Sequence, residues 1–259
     1  MISFLINALK IIFLLGFLIL IHEGGHCIVA KLCKVKVNEF AIGFGKVIWQ
    51  KQGKETKYSL RMIPLGGFCS MEGEDEESDA PGSFSKASVW KKMAIVLAGA
   101  TVNIVFGILV YFILVSTVGI QFVDPAKDTI VNRIYYGAQG TGEFIKAVAD
   151  SIKTLFSGGL QTDQMVGIVG ISEVVVKTNG IINYLNLLAV ISVSLGVTNL
   201  LPIPALDGGK ILILLIEIIR RKPMKIETEA KIQLIGFSIL IALSLFVTYN
   251  DILRIGAGS

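Results

Sequence analysis

Charge is scarce in this chain. Of its 259 residues only 17% are Asp, Glu, Lys or Arg, against 53% hydrophobic residues, and the mean hydropathy is +0.70. Soluble domains carry about 25% charged residues, so too little polar surface is available to cover a water-soluble core of this size. Disorder, an ordinary cytosolic enzyme and a nucleic-acid binder are excluded on the same ground. The net charge of +4 is too small to imply a polyanionic partner. Cysteine is equally sparse. Cys27, Cys33 and Cys69 are an odd number without metal-finger spacing, so no disulfide framework is expected and all three read as small buried apolar residues. No small-x-small cleavage site follows the first apolar run, and His26 directly before Cys27 argues against a lipidation site. The first segment therefore stays in the mature protein. There is no internal repeat and no low-complexity linker.

What is abundant is long apolar sequence. A membrane span needs about 20 apolar residues, and four segments meet that length: residues 2–30, 93–120, 180–219 (broken at 202–208) and 232–250. The stretch Ile11–Ile21 has no polar side chain, and Met93–Ile120 has no charge. The expected fold is an all-α membrane core of four transmembrane helices in a single polytopic domain, residues 1–259. The connecting loops divide by charge. Residues 31–92 hold eleven Lys and Arg and eight acids, residues 121–177 five and six, and Arg220, Arg221, Lys222, Lys225 and Lys231 lie between the last two spans. By the positive-inside tendency the first and third loops are cytoplasmic and both termini lie outside.

The first loop has β character over residues 35–70, where Tyr58, Leu60 and Met62 alternate with Ser59, Arg61 and Ile63 before Pro64-Leu65-Gly66-Gly67. Two or three short antiparallel strands are expected, forming a small membrane-associated hairpin or sheet. An acidic connection, Glu72–Ser83, follows. In the loop of residues 121–177, Gly142–Phe156 has apolar residues at helical spacing, the pattern of an amphipathic helix on the membrane surface.

Histidine is nearly absent, and its placement carries the chemistry. The only two histidines form His22-Glu23-Gly24-Gly25-His26 at the end of the first apolar run. A four-residue spacing puts both imidazoles on one helical face, where they can bind one Zn²⁺, with Glu23 beside them to take a proton from water. An ionisable group in the membrane costs about 2.5–3.5 kcal/mol on the lenient insertion scale, a cost that metal binding offsets. Gly24 and Gly25 permit close approach of another backbone or of substrate. A catalytic zinc takes three protein ligands, so one more is needed. Asp207, the only acid between Glu173 and Glu217, is the best candidate, with Cys27 the alternative. It sits in Asn199-Leu-Leu-Pro202-Ile-Pro204-Ala-Leu-Asp207-Gly208-Gly209, whose prolines break the helix. The competing role for Asp207 is an N-cap of the following helix.

With these motifs in view, the sequence resembles the site-2 protease family of intramembrane zinc metalloproteases, in its RseP/RasP branch. His22-Glu23-x-Gly25-His26, Gly99-x-x-x-Asn103, Gly167-Ile-Val-Gly170-Ile and Asn199-x-x-Pro202-x-x-x-x-Asp207-Gly208 carry the likeness. The resemblance implies His22, His26 and Asp207 as ligands of one zinc ion and Glu23 as general base. It further implies that Asn199 and Asn103 hold substrate or its intermediate, and that the Tyr58–Cys69 strand and turn, with Leu60, Met62, Gly66 and Gly67, receives an unwound substrate as an added β-strand. Implied partners are the lipid bilayer and single-span membrane proteins, such as pre-trimmed anti-sigma factors or remnant signal peptides. The implied place is the bacterial cytoplasmic membrane, with the active site towards the cytoplasmic side. Branch members usually carry PDZ domains between the second and third spans; the interval Gln121–Met165 is too short for one. A metal transporter or sensor would need further ligands along its path, and a silent scaffold would give Glu23 no task.

Overall fold

A computed structural model describes residues 2–74, 76–157 and 167–256. Asp75 of the acidic connection and the end of the interval reaching Met165 lie outside these residues. Seven α-helices and one small sheet follow in the order α1 (Ile2–Leu32), β1 (Val37–Gln52), β2 (Lys57–Met71), α2 (Val89–Leu114), α3 (Ile130–Phe156), α4 (Ile168–Lys177), α5 (Ile181–Asn199), α6 (Asp207–Arg220) and α7 (Ile226–Gly256). Four helical stretches are long and apolar enough to cross a membrane: Ser3–Leu32, Val89–Gly119, Ile181–Asn199 and Ile226–Leu253. In the first and last of these only 11% of the most apolar stretch is buried within the chain. Side chains such as Phe4, Leu32, Leu234 and Leu245 stay more than 60% exposed, which only a hydrocarbon solvent makes favourable. The expected membrane all-α core with a small β element is the fold observed.

Two compact units make up the chain, residues 1–103 with 195–241 and residues 104–194 with 242–259. In the first unit, β1 and β2 form an antiparallel two-stranded sheet whose register shifts repeatedly. Val37 through Ile42 face Met71 through Gly67, whereas Val47 through Gln52 face Arg61 through Lys57, and Phe40 has partners in both Cys69 and Tyr58. The strands are thus two rather than three and longer than the alternation suggested, because Gly43 and Gly45 adopt positive φ and let β1 bend without ending. Glu39 ties the layers together: its carboxylate accepts from Ser59 at 2.6 Å and pairs with Lys57 at 2.7 Å and Arg61 at 2.8 Å. Burial alone would raise its pKa, but these donors win and hold it at about 2.

A cluster of Cys27, Ala30, Val35, Val37, Cys69, Met71, Phe84, Ile95 and Val96 joins the end of α1, the sheet and the start of α2. Close helix contact is set by Gly25, where a Cβ would come within 2.7 Å of the Ala98 carbonyl. Gly24 faces open space, so only one of the two glycines serves as a backbone contact.

In the second unit, α3 begins at Ile130, capped by Thr129, rather than at Gly142. Tyr111 of α2 stacks on Phe144 of α3 with ring centroids 4.2 Å apart. The Gly167–Gly170 motif opens α4. Gly167 provides no side-chain cap, so Asp251 of α7, only 2% exposed, accepts from the Gly167 and Gly170 amides at 3.0 and 2.8 Å. A buried carboxylate is well placed at the positive end of a helix.

Candidate metal centre

His22 and His26, one turn apart on α1, point their Nε2 atoms at the same place. These atoms are 3.3 Å apart, and the rings stand nearly perpendicular at 86°. Asp207 Oδ2 lies 3.2 Å from His22 Nε2 and 3.5 Å from His26 Nε2. Ligands held tetrahedrally at 2.0–2.1 Å from one zinc ion sit about 3.3 Å from each other, so the three separations fit a single metal ion. Asp207 Oδ2 is buried with no hydrogen-bond partner. A buried, unmatched carboxylate oxygen is costly, and a cation between the three atoms removes that cost. Among the described residues these three side chains are the one group able to hold a metal ion. Cys27 instead belongs to the apolar cluster, together with Cys69.

Asp207 reaches the histidines because the chain breaks before it. The described break runs over residues 200–206, where Pro202 and Pro204 supply no amide donors. Ala205 takes a positive φ of 74°, and its amide donates to Gln233 Oε1 of α7 at 2.5 Å. Helix α6 then starts at Asp207, with Leu206 as N-cap and no side-chain cap bond. The N-cap role considered for Asp207 is therefore not the one it has: its side chain turns to the histidines. Gly208 makes this possible, since a Cβ there would collide with the Leu200 and Leu201 carbonyls.

Each histidine is braced on its other nitrogen. His26 Nδ1 donates to the Ile95 carbonyl at 2.8 Å, which leaves Nε2 with a lone pair for a metal. His22 Nδ1 lies 3.5 Å from the amide group of Asn103. Asn103 is 0% exposed and stands behind His22, away from Nε2. From there it can orient the imidazole, and it is not among the residues that line the cavity beside the metal centre. The nearer amide atom is Nδ2; with the amide turned over so that Oδ1 accepts from Nδ1–H, Nε2 is free for a metal. Gly99, one turn earlier, faces both imidazoles so closely that any Cβ would overlap His26 Nε2. That contact gives Gly99-x-x-x-Asn103 its physical meaning.

A cavity of about 770 Å³ opens beside these residues, lined by His22, Glu23, His26, Asn199 and Asp207 together with Phe44, Phe68–Met71, Glu74 and Lys210. Glu23 lines it, and the Cys69 backbone of β2 stands beside its carboxylate. Gly66, at φ +114°, lies under the Phe44 ring, and a Cβ on Gly67 would come within 2.8 Å of the Ala41 carbonyl on β1 and into ordinary contact with Glu23 at 3.5 Å. Tyr58, Leu60 and Met62 do not line the cavity. Tyr58 is flanked by Phe40 and Lys51, and Leu60 by Ile42 and Trp49, so their ladder positions are taken. The edge next to Glu23 is Gly67–Met71, paired within the sheet on one side only. A pair that sequence reasoning missed closes the cavity wall: Lys210 Nζ donates to Glu74 Oε1 at 2.8 Å. No local pattern links residues 136 positions apart.

Comparison with known proteins agrees with this geometry. Residues 10–243 match the model of peptidase family M50. A Clostridium acetobutylicum protein with a provisional zinc-metalloprotease name is 29% identical over 331 aligned positions, covering 95% of this chain and 97% of that one. The zinc metalloprotease RasP of Bacillus licheniformis is 25% identical over 418 positions, covering 96% and 99%. The regulator of sigma-W protease RasP of Bacillus subtilis is 23% identical, covering 97% and 99%. Alignments longer than 259 positions mean that these relatives carry residues this chain lacks. The chain belongs to peptidase family M50, the site-2 protease family, and is a zinc metalloprotease.

Proposed function

We propose that this protease hydrolyses peptide bonds within membrane-spanning segments, with His22, His26 and Asp207 as the zinc ligands and Glu23 as the general base. The observation that carries the reading is the convergence of three ligand atoms beside a carboxylate, on helices apolar enough to span a bilayer. Bound there, zinc supplies Lewis acidity towards water and the scissile carbonyl. Glu23 accepts the proton of the attacking water and returns it to the leaving amine nitrogen. The Cys69 backbone stands beside the Glu23 carboxylate, and the Ile95 carbonyl and Asn103 amide hold the two imidazoles. An extended substrate adds to the Gly67–Met71 edge through main-chain hydrogen bonds, which keeps its carbonyl exposed, while Asn199, at the end of α5 and in the lining of the same cavity, holds it from the side.

The substrate class is single-span membrane proteins, including trimmed anti-sigma factors and remnant signal peptides; the sigma-W regulator among the relatives supports the first. The family match through both structural units supports one protease domain without a PDZ insertion. The loop charges support a multi-pass protein of the bacterial cytoplasmic membrane with both termini outside and the active site towards the cytoplasm. The test is cleavage of a tagged transmembrane-helix substrate by purified protein beside Glu23→Gln, with zinc measured in both. Cleavage by the unaltered protein alone, with zinc in both, is expected. Cleavage by Glu23→Gln removes Glu23 from the reaction.

A further inference from the structure

A second cavity, of about 810 Å³, lies where α1 ends and shares no lining residue with the metal centre. Lys31, Lys34, Lys36 and Lys54 line it, with Thr56 and Tyr58, and Glu55 is the only carboxylate in its wall. The wall is held by hydrogen bonds. Val35 N–H donates to the Ala30 carbonyl at 2.8 Å and Lys36 N–H to the Gly82 carbonyl at 2.9 Å, while Lys31 Nζ donates to the Tyr58 hydroxyl at 2.9 Å. Lys34 turns the chain out of α1 with a positive φ of 62°. Lys36 is partly balanced by Glu72 at 3.8 Å; no ion pair among the described residues engages Lys34 or Lys54. Thr56 is only 2% exposed, and its Oγ1 has no hydrogen-bond partner. A buried donor without an acceptor is costly, and in a cavity lined by ammonium groups the acceptor that fits is an anionic oxygen.

The depth of the cavity identifies what supplies that oxygen. The apolar stretch of α1 ends at Leu32, between Lys31 and Lys34, and lysines at the end of an apolar helix reach for the headgroup layer. Ile28 and Leu32 just below are 62% and 76% exposed, offering an apolar surface along which acyl chains can lie. Trp90, 72% exposed at the start of α2, is the residue type enriched at membrane–water interfaces. We propose that this cavity binds the phosphate headgroup of an anionic phospholipid. The ammonium groups take the phosphate charge, Thr56 donates to a phosphate oxygen, and the lysine-rich wall repels a quaternary-amine headgroup. Basic cavities at the ends of membrane helices recognise lipid headgroups in this way.

The test titrates the full-length, detergent-purified protein with short-chain phosphatidylglycerol, short-chain phosphatidylcholine and inorganic phosphate. Binding is read by native mass spectrometry, and zinc content serves as the check on folding. One phosphatidylglycerol per chain is expected, bound about tenfold or more tightly than phosphatidylcholine. Lys34→Gln combined with Lys54→Gln should weaken it by about tenfold, Thr56→Val several-fold, and the exposed Lys222→Gln not at all. Should the double variant not fold, the Thr56→Val comparison decides. Equal binding of the two lipids, or phosphatidylglycerol binding unchanged in a folded variant, overturns the proposal. Displacement of phosphatidylglycerol by an equal concentration of inorganic phosphate also overturns it and assigns the cavity to a free anion.

Discussion

The metal centre draws on two segments built in opposite ways. Helix α1 runs unbroken for 31 residues, and its two histidines meet because a helix turn fixes residues four apart on one face. Between α5 and α6 the helix fails, and Asp207 arrives through two prolines, a positive-φ alanine, a glycine that tolerates no Cβ and a hydrogen bond from Ala205 to Gln233. The first segment places its ligands by local geometry and the second by packing. Damage should follow the same division: changes at α1 act on chemistry directly, whereas changes around the break act through the position of Asp207.

Glu23→Gln should give the largest effect, a loss of about 10²–10⁴ in cleavage rate with zinc retained; rate measurement and metal analysis on one sample check both halves. Next comes Asn103→Leu, which removes the partner behind His22. Its zinc affinity should fall about 10–100-fold, and Asn103→Asp, which keeps an acceptor for Nδ1–H, should recover part of that, as read by chelator competition. Gln233→Leu would probe the broken segment alone. Leaving the Ala205 amide unmatched costs about 1–3 kcal/mol, so roughly tenfold weaker zinc binding is expected with the helical content of circular dichroism unchanged. If Gln233→Leu leaves zinc affinity untouched, the break positions Asp207 by its own backbone, and the contrast between the two segments dissolves.

The smallest effect concerns the sheet that carries the edge beside Glu23. Glu39 titrates at about 2 in the fold against an ordinary 4.5. Its contribution to stability is therefore present above about pH 4.5 and is lost as pH falls through about 2. The melting temperature of the unaltered protein should exceed that of Glu39→Gln at pH 6, with the gap narrowing between pH 4.5 and pH 2.

Legibility in the sequence follows the same contrast. The four apolar stretches and the two histidines are governed by length and helical period, so both were readable from residue order. Asp207 was reachable only by elimination, and its alternative role as an N-cap fell because Leu206 occupies that position. Asn103 is legible as a motif residue, but nothing in Gly99-x-x-x-Asn103 says that it lies beside His22 Nδ1. The substrate edge read from the sequence spans Tyr58–Cys69, because alternation shows which faces a strand has. It does not show which edge stays open, and that depends on register shifts around Gly43 and Gly45. The Glu74–Lys210 pair and Asp251 at the start of α4 join distant segments and leave no local trace.

The central claim is that one zinc ion is held by two histidines and one carboxylate across the unbroken and the broken segment. X-ray absorption at the zinc edge of the purified protein tests it most directly. The account predicts about one zinc per chain, with nitrogen and oxygen neighbours at about 2.0–2.2 Å, two of them imidazoles, and loss of the metal in Asp207→Ala. A sulfur neighbour at about 2.3 Å, placing Cys27 or Cys69 on the metal, or full zinc occupancy in Asp207→Ala, would contradict it.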